Sequence, residues 1–117
     1  MGKSISEHLK EAQAGGETVS PELRRLMQNA RDASDFLKAL AHENRLVILC
    51  LLAERERSVT ELEELLSLSQ ATVSQQLARL RFEGLVASRR DGRQIYYSLP
   101  DETTRRFIRA VYDKFCG

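Results

Sequence analysis

The sequence lacks any long apolar run. The longest, Leu46 to Ala53, has the length of a buried helix segment and falls well short of the roughly 20 apolar residues that cross a bilayer. The first residues, MGKSISEHLKEAQAGGE, mix both charge signs without an apolar core, which argues against a secretory signal or an Arg-rich transit peptide. Repeats and low-complexity tracts are also missing. We therefore expect one cytoplasmic domain, for which 117 residues with 42% hydrophobic and 30% charged residues are ordinary.

Metal ligands and thiols are scarce. The only histidines are His8 and His42, and the only cysteines are Cys50 and Cys116. A closed zinc site needs about four ligands at compact spacing, so we expect no metal and no cofactor. His8 is then a solvated residue, and His42 caps a helix or lies on the surface. Neither cysteine has a partner base in the sequence pattern, which argues against a thiol enzyme such as a peroxidase.

Net charge is also nearly absent, at +1, but its distribution is uneven. The stretch from Arg79 to Arg93 contains five arginines and only two acidic residues. The stretch from Glu54 to Glu64 contains five glutamates and two arginines. A basic patch on a nearly neutral domain is typical of a phosphate-contacting surface. Charge alone does not separate this interpretation from an ordinary solvated face.

The chain begins with a segment that has little periodicity. Residues 1–20 carry Gly15-Gly16, and we expect a flexible N-terminal arm with at most a frayed helical turn. Ser20 and Pro21 form a helix start signal, so the folded domain is expected to span 21–117. The helix that follows should bury one face, because apolar residues recur at helical spacing: Leu23, Leu26, Met27, Ala30, Ala33, Phe36, Leu37 and Leu40.

The next segments predict a helix-turn-helix. Leu46 to Ala53 is apolar nearly all round and predicts a central buried helix. Ser58 to Leu66 predicts a short amphipathic helix capped by Thr60. After a tight turn at Leu68-Ser69, the serine is expected to cap a second helix that runs to about Phe82. Two short helices joined in this way form a helix-turn-helix.

A β-hairpin is predicted after that helix. Gly84 stands where a C-cap glycine is wanted. Leu85 to Arg90 and Gln94 to Leu99 are β-prone runs joined through Asp91-Gly92, which tolerate positive φ. Pro100-Asp101 then starts a last helix that reaches the penultimate residue. The order predicts a mainly α fold with a small β-hairpin, the winged helix-turn-helix.

The second helix of this motif has a polar face. With Val73 as the reference on a helical wheel, Leu77 and Leu80 lie within about 40° of it, and small or polar residues lie opposite. Small side chains let a helix enter the major groove, and Gln75 has the paired donor and acceptor that read an adenine edge. The candidate DNA contacts are Ser69, Gln70, Ala71, Thr72, Ser74, Gln75 and Arg79 on the helix, with Arg89, Arg90 and Arg93 on the wing.

The last helix carries more apolar surface than a small helical core and a hairpin need. Its apolar residues are Phe107, Ile108, Val111, Tyr112 and Phe115. Excess apolar surface of this kind usually marks an interface, so we expect a homodimer that pairs through these residues. A two-fold dimer also suits two DNA half-sites about one helical turn apart.

These features together resemble a known family. The run FLKALAHENRLVILCLL, followed by ELEELLSLSQATVSQQLARLRFEGLVASRRDGRQIYYSL, resembles the ArsR/SmtB family of bacterial winged-helix repressors over about residues 21–116. The resemblance implies a homodimer paired through its first and last helices. It also implies binding to an imperfect inverted repeat at a promoter, with release when an inducer is sensed.

Many members of this family sense metals through cysteines before the turn or through histidines on the last helix, and neither pattern is present. Cys50 and Cys116 instead match the dithiol branch, the sulfide- and persulfide-responsive repressors of the BigR and SqrR type. By this resemblance they are the sensing pair, joined by persulfides through a polysulfide bridge or by other oxidants through a disulfide. Arg109 and Lys114 are expected to favour the thiolate.

Other interpretations remain open. The cysteines are inert if Cys50 is simply a small core residue and Cys116 an incidental thiol, and the protein is then a constitutive or antagonist DNA-binding regulator. A metal sensor is the less favoured alternative. A winged helix used only for protein interaction predicts no salt-dependent binding to duplex DNA.

Overall fold

The computed structural model describes residues 4–13 and 20–117, and these form six helices and three short strands. In chain order they are α1 (Ile5–Gln13), α2 (Pro21–Leu40), α3 (Glu43–Glu54), β1 (Arg57–Ser58), α4 (Val59–Leu66), α5 (Gln70–Phe82), β2 (Ala87–Asp91), β3 (Gln94–Ser98) and α6 (Glu102–Cys116). The chain divides into two compact units, residues 1–37 and 38–117.

The first unit contains α1 and most of α2. Where the sequence predicts at most a frayed turn, α1 is a nine-residue helix. The Ser4 hydroxyl accepts a hydrogen bond from the Glu7 amide at 3.2 Å, as an N-cap does, and donates one to the Glu7 carboxylate. The flexibility of the arm stays a prediction, and its Gly15-Gly16 pair lies outside the described residues.

The predicted start of α2 is confirmed. Pro21 is its first residue, and the Ser20 hydroxyl accepts a hydrogen bond from the Leu23 amide at 3.1 Å. The expectation that its apolar stripe is buried is wrong for the single chain, since only Ala39 and Leu40 are buried. Leu23, Leu26 and Phe36 are half-buried, and Met27 is 51% exposed.

The second unit is built around α3. This helix is apolar on every side and lies in the centre, as predicted, in contact with α5, α6 and β3. The core is formed mainly by the branched aliphatic residues Ile48, Leu49, Leu52, Leu62, Val73, Leu77, Leu80, Leu85, Val86, Leu99 and Ile108. Because these side chains come from every helix after α2 and from the segments beside the sheet, the helix-turn-helix and the wing share one core.

The helix-turn-helix consists of α4 and α5. Ser58 caps α4 by accepting a hydrogen bond from the Glu61 amide at 3.1 Å, so the prediction that Thr60 is the cap is wrong. Ser67 ends α4 in the left-handed conformation, at φ 54°. Ser69 caps α5 through the Thr72 amide at 3.2 Å, as predicted.

The end of α5 is fixed by Gly84, whose φ is +74°. The Leu85 amide donates to the Leu80 carbonyl at 2.9 Å, and the Gly84 amide donates to the Arg81 carbonyl at 3.0 Å. This pair of hydrogen bonds is the Schellman motif, so the predicted glycine C-cap is confirmed.

The wing is a three-stranded antiparallel sheet with the strand order β1-β3-β2. The sequence predicts only the hairpin of β2 and β3, and β1 adds a two-residue edge. Asp91 pairs with Gln94, which makes Gly92-Arg93 the loop rather than Asp91-Gly92. Gly92 has φ +62°, at the position where a type II′ turn takes glycine.

The start of α6 lies against the end of α3. Asp101 caps α6 by accepting a 2.7 Å hydrogen bond from the Thr104 amide, and this bond lowers the pKa of the carboxyl. The Arg105 guanidinium donates to the carbonyls of Ala53 at 2.6 Å and Leu52 at 3.4 Å. A cation at these terminal carbonyls satisfies acceptors that the helix leaves free.

Candidate nucleic-acid interface and thiol cleft

The helix α5 has one apolar and one polar face. Val73, Leu77 and Leu80 are fully buried. The opposite face is exposed at Ser69, Gln70, Ala71, Ser74, Gln75, Ala78 and Arg79. Thr72 is half-buried, with its hydroxyl 3.0 Å from that of Ser69. Gln75 is therefore available to a base edge, and the helix presents a surface of small polar groups.

Gln76 is half-buried and bonded to Arg45, a contact that the sequence does not predict. Its amide oxygen accepts a hydrogen bond from the Arg45 guanidinium at 3.3 Å, and the same guanidinium donates to the Ala39 carbonyl at 2.6 Å. Arg45 thus connects α3, α5 and the end of α2 within the second unit. The only feature of the sequence that could have indicated this contact is Arg45 itself, an arginine in the first turn of a mainly apolar helix.

All three predicted wing arginines are exposed, but they differ in their partners. Arg89 donates to the Glu56 carboxylate at 2.9 and 2.6 Å and lies 4.6 Å from the centroid of the Tyr96 ring. Arg90 and Arg93 have no ion-pair partner among the described residues. The wing arginines without a salt bridge in the described part of the chain are therefore the two nearest the hairpin turn, on either side of Asp91.

Ion pairs also hold two further glutamates of the acidic stretch, Glu54 and Glu61. The nearly buried Arg57 donates to Glu61 at 2.8 Å and to Glu54 at 2.6 Å. Arg55 pairs with Glu61 as well. These hydrogen bonds, the one from Arg57 first, lower the pKa of Glu61. The acidic stretch is therefore part of the scaffold that supports the wing and α4.

A cleft of about 420 Å³ lies between α3 and α6. Both cysteines line it, Cys50 from the middle of α3 and Cys116 from the end of α6. The other lining residues are Leu46, Val47, Leu51, Ala53, Glu54, Ile108, Arg109, Val111, Tyr112 and Phe115. The two thiols, distant in the sequence, thus share one mainly apolar cleft.

The two thiols have different environments. Cys50 is half-buried and Cys116 is exposed. Burial raises the pKa of the Cys50 thiol, and repulsion from Cys116 and Glu54 raises it further. The expectation that cations favour its thiolate is therefore wrong for Cys50. Arg109 lines the cleft without reversing this shift, and Lys114 lies over the Phe115 ring, 5.8 Å from its centroid.

Most of the predicted interface residues on α6 are exposed. Tyr112 is 49% and Phe115 is 76% exposed, Phe107 is also exposed, and Val111 is half-buried. Ile108 is the exception: it is fully buried in the core of the single chain, so it is wrong as an interface contact. Both the core-facing residue and the exposed residues of this helix are apolar. The sequence alone therefore does not distinguish core positions from interface positions on α6.

Within residues 4–13 and 20–117, histidine, cysteine and carboxylate side chains form no group of three that could hold a metal ion. His42 is exposed at the start of α3 and its side chain makes no capping hydrogen bond. His8 lies in α1, beside a groove between α1 and α2.

Comparison with known proteins identifies the family. Residues 42–88 match the model of the bacterial regulatory proteins of the arsR family. The chain is 44% identical over 90 residues to the biofilm growth-associated repressor of Agrobacterium fabrum, and the match covers 77% of each protein. This chain belongs to the ArsR family. Its relatives are DNA-binding transcriptional regulators and not enzymes, so the thiol-enzyme alternative is set aside.

Solved structures support the same fold for this ArsR-family protein. Reduced HlyU from Vibrio cholerae is similar with a TM-score of 0.76 and 39% identity, covering 81% of this chain and all of HlyU. The transcriptional repressor BigR from Xylella fastidiosa is similar with a TM-score of 0.70 and 39% identity, covering 80% of this chain and 92% of BigR. The predicted winged helix-turn-helix is therefore confirmed. In the described part of this ArsR-family chain, no helix has both the length and the apolar character of a membrane span.

Proposed function

We propose that this ArsR-family regulator is a homodimeric repressor whose hold on an inverted-repeat operator ends when Cys50 and Cys116 become joined. One observation carries the proposal: both cysteines line a single cleft between α3 and α6. The bridging agent is a persulfide or polysulfide, or another oxidant. Similarity to BigR, a transcriptional repressor, and to HlyU in a reduced form supports a regulator of this kind.

The DNA contacts proposed for each half-site lie on α5 and the wing. The exposed face of α5 offers small polar groups around Gln75, and its N-terminal amides near Gln70 suit a phosphate. Wing cations add affinity more than sequence choice, because phosphate contacts carry no sequence information.

The proposed dimer joins the apolar surfaces of α2 and α6. Tyr112 and Phe115 on α6 and Met27 on α2 are large apolar side chains that the single chain leaves about half or more exposed. Exposed apolar patches of this kind usually mark an interface. A two-fold pairing places two α5 helices on neighbouring half-sites of the same duplex.

The proposed chemistry balances without a cofactor. Each thiol accepts one sulfane sulfur from a persulfide RSSH, which leaves as the thiol RSH. Condensation of the two protein persulfides then gives a trisulfide and releases hydrogen sulfide. With hydrogen peroxide as the oxidant, the two thiols give a disulfide and peroxide is reduced to water. Exposed Cys116 is better placed for the first attack, because Cys50 is half-buried and burial raises its pKa.

A bridge between the two cysteines connects the end of α6 to the middle of α3. Since α6 also carries the proposed dimer surface, the bridge favours a different spacing of the two α5 helices. Coupling of about 1–3 kcal/mol between such sites changes affinity roughly 5- to 150-fold.

The test compares the reduced and the polysulfide-treated protein on a labelled duplex from the region upstream of its own gene, by fluorescence anisotropy at fixed salt. We expect the reduced protein to bind and the polysulfide-treated protein to bind much more weakly. Cys50→Ser and Cys116→Ser should bind as the reduced wild type does and should not respond to polysulfide. Normal release of either serine variant would refute the dithiol mechanism and leave DNA binding intact.

A regulator with inert cysteines is the second candidate, and the raised pKa of Cys50 favours it. Mass spectrometry after polysulfide or peroxide treatment separates the two. The dithiol proposal requires a peptide pair joined between Cys50 and Cys116, whereas the second candidate predicts modification at exposed Cys116 alone.

A further inference from the structure

Arg89 differs from the other wing arginines in having two side-chain partners, Glu56 and Tyr96. Its guanidinium donates through Nε and Nη2 to the two oxygens of Glu56, at 2.9 and 2.6 Å. Its Cζ lies 4.6 Å from the centroid of the Tyr96 ring. A two-point hydrogen bond to a carboxylate fixes the orientation of a guanidinium, and the ring holds it from a second side.

The strand register explains how this contact forms. Arg89 in β2 is directly opposite Tyr96 in β3, and Tyr96 in turn pairs with Ser58 in β1. Residues opposite one another in antiparallel strands share a face of the sheet, so all three lie on one face. Glu56 immediately precedes β1 and reaches this same face. Arg90 pairs with Ile95 and therefore lies on the opposite face.

The charges divide in the same way. The Glu56–Arg89 pair is neutral as a unit, and its hydrogen bonds lower the pKa of Glu56 and raise that of Arg89. Counterion release on DNA depends on positive charge that meets phosphate without a carboxylate beside it. Among the described residues, Arg90 and Arg93 make no salt bridge even though Asp91 lies between them in the sequence, whereas Arg89 is paired with Glu56.

We infer that Arg89 is a positioning residue that holds the wing against the Arg55-Glu56 segment, and that the charge which meets DNA comes from Arg90 and Arg93. This inference rests on the proposed DNA interface. Arg89 connects β2 to the segment that ends α3, so it sets the angle at which the wing leaves the core. Without it the tip samples more orientations, and fewer of them reach the phosphates.

The experiment measures binding to a mixed-sequence duplex and to the upstream duplex over a series of salt concentrations. Arg93→Ala should lower the slope of log K against log salt by about 0.9, the value for one lost phosphate contact. Arg89→Ala should weaken binding roughly threefold to tenfold, the worth of an exposed pair and a cation–π contact, without changing this slope. If Arg89→Ala lowers the slope as Arg93→Ala does, Arg89 is a phosphate contact and the inference is overturned.

A charge exchange gives an independent test. Arg89→Glu alone should weaken binding strongly, and adding Glu56→Arg should recover most of that loss, because the ion pair forms again with its charges exchanged. No recovery in the double variant overturns the inference. Equal melting temperatures for the variants show that the fold is intact, as expected for an exposed pair.

Glu56→Gln tests the pair from its other side, with Glu64→Gln as a control of equal charge on the exposed face of α4. If Glu56 holds the wing, Glu56→Gln binds DNA more weakly than Glu64→Gln. If Glu56 only competes with DNA for Arg89, Glu56→Gln binds more tightly with a steeper salt slope, and the inference is overturned. Absence of salt-dependent binding by the wild type would instead refute the proposed DNA interface itself.

Discussion

Cys50 and Cys116 share one cleft but differ in exposure, and this difference decides their chemistry. The thiolate is the nucleophilic form of cysteine, so a group that is buried and close to negative charge reacts slowly. The identity of the residues does not reveal this asymmetry. It follows from where α3 and α6 place them.

At the residue scale, we expect Cys50 to react slowly with iodoacetamide at neutral pH and faster as the pH rises. Burial, then Cys116 and Glu54, raise the pKa of its thiol above the ordinary value of 9.0, so the thiol stays protonated through neutral pH. Alkylation rates of the Cys50 peptide over a pH series, measured by mass spectrometry on the wild-type protein, check this. Cys116 in the Cys50→Ser variant is the exposed comparison, and superimposable profiles would contradict the expectation.

Leu77 carries a second expectation at this scale. Leu77→Ala should lower the free energy of unfolding by about 2–5 kcal/mol, because its side chain is fully buried between α5 and the core. Leu65→Ala on α4 is the control, since Leu65 is 51% exposed and exposed substitutions change stability by about 0.5 kcal/mol or less. Urea unfolding measures both, and equal losses would contradict the assigned inward face of α5.

At the scale of elements, the Schellman motif at Gly84 decides where α5 stops. We expect Gly84→Ala to destabilise the fold by about 1–2 kcal/mol, because φ of +74° is strained for a residue with a side chain. An added Cβ meets no atom within 4 Å, so the cost is conformational and not steric. Gly84→Asn should lose less, since asparagine tolerates this conformation. Thermal unfolding ranks the three, and equal stability of Ala and Gly would contradict the argument.

Signals that act within a few residues could be predicted from the sequence. The caps Ser20, Ser69 and Asp101 and the C-cap Gly84 satisfy backbone groups close by, and each does so in the structure. There is a physical reason why the prediction of Thr60 as the cap of α4 is wrong. Ser58–Glu61 and Thr60–Glu63 both fit the capping pattern, and the pairing of Ser58 with Tyr96 in β3 decides between them.

Contacts between distant segments could not be predicted. The two residues of β1 become a strand only because β3 lies beside them. The exposed face of α5 could be predicted from its periodicity. The ion pair of Arg89 could not, because its partner Glu56 comes from another part of the chain. The prediction that Cys50 and Cys116 act as a pair depends on family resemblance, because no local sequence pattern connects them.

At the scale of the whole molecule, the exposed aromatic residues of α6 test the dimer. Phe115→Arg should shift the protein toward monomer in analytical ultracentrifugation, because it places a charge in the proposed apolar interface. Phe82→Arg is the matched control, since Phe82 is even more exposed, at 86%, but lies at the end of α5 outside that surface. Equal dissociation of both variants, or of neither, would contradict the assigned interface.

The order of the two cysteines along the chain has its own consequence. Residues 51–115 lie between them and include α4, α5 and all three strands. A bond between Cys50 and Cys116 would enclose the entire DNA-reading module in one covalent macrocycle, and cross-links around loops of this length reduce the entropy of the denatured ensemble. The oxidised protein should then melt at a higher temperature than the reduced one, so calorimetry would report whether the two cysteines are joined with no DNA present.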